Sequence, residues 1–156
     1  NAYIQGFPKI RKVSLFFKIK SIFIGIGPTG LAPRCKNIVF QGRVPHNEIP
    51  NYLNAADAFV LPTLHEGCCN AIVEAMACGL PVISSNLLFN HDVLDDTNSI
   101  MLDPRDTEAI SAAIEKLYND RILCHKLSEG AIKRSVELTI EKRAQNIIDY
   151  IQNITS

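Results

Sequence analysis

No uninterrupted apolar run in the 156 residues approaches the ~20 that a membrane-spanning helix needs. The N-terminus lacks the segments of a signal peptide and starts with Asn1 rather than Met, so the chain is expected to be part of a longer one. The five cysteines are odd in number and irregularly spaced, which does not make a disulfide framework. They fit a reducing compartment, and a cytoplasmic location is expected. Acidic residues are missing from residues 1–47, which carry eight Lys and Arg, whereas residues 48–120 carry twelve acids against Arg105 and Lys116. The whole chain nevertheless has zero formal net charge, which excludes a globally basic nucleic-acid binder. The uneven spread leaves room for a local anion site. No internal repeat, low-complexity tract or Pro/Gly/Ser-rich linker divides the chain. What remains is an ordinary core-forming composition, 47% hydrophobic and 21% charged, and a single domain over residues 1–156 is expected.

Short β-branched runs alternate with helical periods. Ser21 to Gly27 reads as a strand ending in glycines, Asn37 to Gly42 as a second, and Ala58 to Leu61 as a third stopped by Pro62. Val82 to Ser84 and Ser99 to Leu102 give a fourth and a fifth. Helical patterns cover Asn47–Ala56, Cys69–Cys78, Thr107–Asn119, Arg121–Leu138 and Ile140–Asn153. Gly79, with Pro81 two residues later, marks the end of the second of these. The strands are continuous apolar runs rather than alternations, which predicts a parallel sheet covered on both faces. The expected fold class is α/β, a Rossmann-like doubly wound sheet.

Gly25-Ile26-Gly27-Pro28-Thr29-Gly30 matches the G-x-G-x-x-G dinucleotide fingerprint. That motif needs a helix to present amides to a pyrophosphate and an acid at the end of the next strand. Here Pro28 and Pro33 bracket the segment, only about ten residues separate the two strands, and the second strand ends in Gln41-Gly42-Arg43. A glycine turn is the better reading, and a nicotinamide dehydrogenase is not expected.

The informative stretch runs from Leu61 to Val82. Ile72, Val73, Ala75, Met76 and Ala77 surround a helix with apolar groups, which predicts burial on all sides with Glu74 in the middle. A carboxylate there needs a partner. No basic residue lies within a turn or two, so either a distant Lys or Arg or a ligand with hydroxyls, such as a ribose, must supply it. Glu66 precedes the helix, and Gly67 lets a ligand approach the backbone closely. The free amides of Cys68, Cys69 and Asn70 would face one point, where the helix dipole favours phosphate. This spacing suggests a nucleotide-sugar: sugar hydroxyls at Glu66, diphosphate at the helix start, ribose at Glu74. Two glutamates eight apart also occur by chance, and spacing alone leaves both readings open.

Glu66-x7-Glu74 followed by Ala75-Met76-Ala77-Cys78-Gly79-Leu80-Pro81-Val82-Ile83 resembles the E-x7-E signature of the retaining glycosyltransferases of the GT-B fold, family 4. The resemblance extends over nearly the whole chain. It takes in the glycine strand end Ile24-Gly25-Ile26-Gly27-Pro28, the strand and loop from Val39 to Val44, Ala55 to Thr63, and the turn Asp103-Pro104-Arg105-Asp106. It implies the C-terminal, donor-binding half of such an enzyme. Glu66, the catalytic candidate, would contact the donor sugar, and Glu74 the ribose. Amides of Gly67, Cys68, Cys69 and Asn70 would hold phosphate or sugar. Gly27 and Arg43 would border the nucleotide, and main chain near Val44 would meet the base. The family's first strand, with the Arg and Lys that neutralise the diphosphate, would lie upstream of Asn1, together with an acceptor-binding domain. Lys9, Lys12, Lys18 and Lys20 do not occupy those motif positions. Thr29 to Lys36 replaces the usual helix, and Asn86 to Leu94 replaces the glycine-rich loop that shapes the sugar pocket.

Other candidates carry less. His65, Cys68 and Cys69 lack the second pair of ligands that structural zinc requires, so no metal or other cofactor is expected. Cys68 at a helix start would have a lowered pKa, yet no histidine is placed as its base. Cys78 reads as core, and His46, His91 and His125 follow no pattern. The lysines interleaved with Phe16, Phe17 and Phe23 read as a solvated face over core aromatics, with no nucleic-acid partner. The expected activity is transfer of a hexose from a UDP- or GDP-sugar to a sugar or lipid-linked acceptor, in polysaccharide or glycoconjugate biosynthesis. The acceptor would bind through the N-terminal domain, as would any membrane at whose inner face the enzyme works. The alternatives are a sugar-nucleotide epimerase-like enzyme and a non-catalytic nucleotide-binding module.

Overall fold

The computed structural model describes residues 19–24, 37–66 and 70–155. Two parallel sheets form. In the first, β1 (Ser21–Ile24) pairs with β2 (Ile38–Gly42) in register Ser21 to Ile38, with an irregularity between Phe23 and Ile24 that brings Ile24 opposite Gly42. Gly42 has φ +70°, a backbone state that glycine adopts without steric cost, and the strand ends there. The second sheet has the order β3 (Phe59–Leu61), β4 (Val82–Ser85), β5 (Ser99–Leu102), again all parallel. The described strands are all parallel, as the sequence predicts, and fall into these two sheets. β1 and β3 do not pair, and a groove of about 510 Å³ runs between them, lined by Ile22, Ile24, Tyr52, Phe59, Val60 and Ile114 among others.

The helices follow from local chemistry. A 3-10 turn, His46–Glu48, leads into the short α1 (Ile49–Asn54), whose Pro50 sits where a helix needs no amide donor. α2 (Asn70–Ala77) closes with Gly79 at φ +75°, Leu80 N–H donating to the Ala75 carbonyl and Gly79 N–H to that of Met76. This is the glycine stop that the sequence signals. α3 (Thr107–Asn119) is capped by Asp106, whose carboxylate accepts from the amides of Glu108 and Ala109 at 3.0 and 2.9 Å. Asp120 ends α3 and caps α4 (Arg121–Ser135) through the Leu123 amide. α4 stops at Ser135 rather than at Leu138, because Thr139 caps α5 (Ile140–Thr155) through the Lys142 amide. The chain must leave the helix for that cap to form.

The β3–β5 sheet is covered on both faces, as its apolar runs predict. Val82 packs with Leu61, Ile72, Met76, Leu94 and Ala131 on one side, under α2 and α4. Its neighbour Ile83 packs with Leu102, Ile110, Ala113, Leu117 and Leu127 on the other, under α3 and α4. Both are fully buried. No helix among the described residues is long and apolar enough to cross a membrane.

Candidate functional site

Every parallel strand of the larger sheet delivers its C-terminal end, with the loop that follows, to one edge. Ligands of open α/β sheets bind at that edge. β3 runs into Pro62 and Thr63, both buried, then Leu64, and emerges as exposed His65 and Glu66. The loop is held from beneath by polar groups at the end of β4. Ser84 Oγ donates to the Leu61 carbonyl at 2.8 Å, and Ser85 Oγ donates to that of Thr63. Asn90 is 2% exposed and donates to Ser84 Oγ at 3.1 Å and to the Ser85 carbonyl at 2.8 Å. Segment 86–94 is thus anchored to the strand ends by one buried amide, and Leu88–Asn90 forms a 3-10 turn. Thr63 Oγ1, buried in the same layer, has no hydrogen-bond partner among the described residues. Sequence reasoning overlooked this polar layer. Its signal was the pair Ser84-Ser85 ending an otherwise apolar strand.

α2 carries the second part. Ile72, Ala75 and Met76 are buried, but Val73 is only half-buried and Ala77 is exposed. The helix is therefore amphipathic rather than buried on all sides, and Glu74 is on its wetter face with 37% of its side chain exposed. The expectation of a buried carboxylate is corrected accordingly. Consecutive residues around a helix cannot all reach one flat sheet, and the face away from β3 and β4 stays wet. Among the described residues, the partner of Glu74 is a histidine. His46 Nε2 lies 3.1 Å from Glu74 Oε1, across 28 residues of sequence, and donates the hydrogen bond. His46, in which no pattern was seen, belongs to the segment after β2 that also holds Arg43, exposed, and Val44, half-buried. The fold thereby joins the Arg43–Val44 segment to Glu74. Asn70 is exposed at the described start of α2, four residues or about 6 Å along the axis from Glu74. Gly27, Gly67, Cys68 and Cys69 lie outside the described residues.

One turn beyond Glu74, burial pushes the Cys78 thiol above its usual pKa and the charge of Glu74 adds to the rise. This thiol packs with Leu53, Ala75 and Leu80. Among the described residues, no three His, Cys, Asp or Glu converge as a metal set.

The arrangement is a strand-end loop with one exposed carboxylate, a helix start, and a second carboxylate further along, steadied from the side. Comparison with known proteins bears on the family and the fold. The family model described as glycosyl transferases group 1 matches residues 2–120. The chain is 30% identical over 103 residues to the putative teichuronic acid biosynthesis glycosyltransferase TuaC of Bacillus subtilis, covering 66% of this chain and 26% of that protein. It thus spans about a quarter of that relative's length. Among solved structures, the C-terminal domain of the glycosyl transferase group 1 family protein LpcC from Francisella tularensis is similar with a TM-score of 0.72 and 22% identity, over 88% of this chain and 80% of that one. Anabaena Alr3699/HepE, solved in complex with UDP and glucose, is similar with a TM-score of 0.72 and 18% identity, over 89% and 42%. The fold is that of the Rossmann-like half of GT-B glycosyltransferases, and the chain belongs to the glycosyl transferases group 1 family.

Proposed function

We propose that these residues form the donor-binding part of a retaining glycosyltransferase, which moves a hexose from a UDP- or GDP-sugar to a sugar or lipid-linked acceptor in polysaccharide or glycoconjugate biosynthesis. In the transfer, the bond from the sugar's anomeric carbon to the diphosphate oxygen breaks, and its electron pair leaves with the nucleotide. An acceptor oxygen takes that place on the carbon and gives up its proton. The barrier lies in charge developing on the diphosphate, which preorganised amides at a helix start stabilise. Glu66 meets the donor sugar, amides from Gly67 to Asn70 meet the diphosphate, and Glu74 meets the ribose. Gly27, Arg43 and Val44 border the nucleoside. No metal enters this scheme, since the helix start and cations outside the described residues carry the charge.

The observation that carries the reading is Glu74: on a helix whose other side is core, its carboxylate is half-open to solvent and has one oxygen engaged. A ligand's vicinal hydroxyls can use the rest. Family membership favours transfer over an epimerase or a binding-only module. We place the enzyme in the cytoplasm, at the inner face of the membrane where the acceptor is lipid-linked.

Glu74→Gln is the test. Affinity for UDP or GDP should fall by roughly 1.5–3 kcal/mol, the scale of a hydrogen bond to a charged group. Because the side chain is 37% exposed, thermal stability should hardly change. Unchanged nucleotide affinity with a lowered Tm would make Glu74 a structural partner of His46 and end the ribose assignment.

A further inference from the structure

We infer that His46 is a positioning residue for the ribose-binding carboxylate, and that its hydrogen bond to Glu74 couples the segment after β2 to α2. The inference rests on the assignment of Glu74 to the ribose. A glutamate on a helix face has freely rotating torsions, and its neighbours one turn away, Asn70, Ala71, Ala77 and Cys78, supply no cation to fix it. His46 does so from outside the helix, at 3.1 Å on Oε1. Among the described residues nothing else engages the carboxylate, and two adjacent hydroxyls require such open acceptor positions.

The imidazole sits on a stiff base. Pro45 fixes the backbone before it at φ −55°, the Glu48 amide donates to the Pro45 carbonyl at 2.9 Å, and Pro50 starts the next helix. His46 itself is 87% exposed, so it buries little and contributes little to folding. A histidine that the core does not need, hydrogen-bonded to a carboxylate 28 residues away, acts on that carboxylate's orientation. Val44 is two residues before it, so the same bond ties the segment assigned to the base to the carboxylate assigned to the ribose.

The experiment uses the full-length protein with whichever of UDP and GDP it binds, alongside the 2′-deoxy counterpart of that nucleotide. His46→Ala, His46→Gln and Glu74→Ala are compared by calorimetry, with Tm measured for each. His46→Ala should lose about tenfold in affinity for the ribonucleotide, the size of one hydrogen bond, and its preference for ribose over 2′-deoxyribose should shrink. Tm should stay at the parent value. His46→Gln, whose amide N–H can still reach Oε1, should keep the parent preference. A preference untouched by His46→Ala, or lost equally in His46→Gln, overturns the inference while leaving the ribose assignment standing. A Glu74→Ala protein with the parent's preference overturns both.

Discussion

Glu66 and Glu74 are both carboxylates that follow β3 in the chain, and their surroundings differ. Glu74 is tethered by His46 on a regular helix, whereas Glu66 ends a loop and is exposed. If Glu66 meets only the sugar, Glu66→Ala should leave UDP or GDP binding nearly unchanged, because the diphosphate still meets the helix start. It should weaken the sugar-bearing donor and, in the full-length enzyme, lower turnover. Glu74→Ala should weaken both ligands alike. Calorimetry on two variants with two ligands checks this, and an equal loss for both ligands in Glu66→Ala would move Glu66 to the nucleotide. The candidate pair was legible in the sequence because eight positions bridge a loop and one helix. Its third member, His46, was not: a contact across 28 residues leaves no periodicity to detect.

Between elements, α4 closely approaches the turn before β5 at Gly130. A Cβ added at Gly130 would lie 2.0 Å from the Thr97 carbonyl oxygen and 2.7 Å from its carbon. The turn cannot retreat easily. Asp95 Oδ1 accepts from Thr97 N–H at 2.8 Å and Thr97 Oγ1 at 2.6 Å, bonds that hold the Asp95 carboxyl below the usual carboxylate range. Asn98, fully buried, accepts from the Asp95 amide. Gly130→Ala would gain about 1 kcal/mol in helix propensity but collide with backbone, where overpacking costs up to about 3 kcal/mol. A net loss of about 2 kcal/mol in urea denaturation is expected, and a stabilised variant would show the approach to be looser than described. Gly130 lies in a strong helical pattern, so the sequence marks its helix and gives no sign of its neighbour. Gly79 differs: its place between a helix and Leu80-Pro81 announced a left-handed stop, and φ +75° is what stands there.

For the molecule as a whole, the chain spans about a quarter of the TuaC relative, and its two sheets leave a groove between β1 and β3. On the proposed function, which gives this chain the donor and not the acceptor, we expect the 156-residue chain to bind nucleotide yet transfer no sugar. Turnover by this chain in any donor and acceptor screen would overturn that assignment. The sequence by itself determined the parallel α/β class, because fully apolar strands such as Val82-Ile83 need cover on both faces. It also determined the helix stops and caps, which depend on residues within four or five positions of one another. Only the tertiary structure decided that Glu74 faces solvent, that His46 holds it, that Asn90 anchors the segment beside it, and that β1 and β3 stand apart. Those features depend on which surfaces meet after the chain has folded, and residues distant in sequence carry no local record of that meeting.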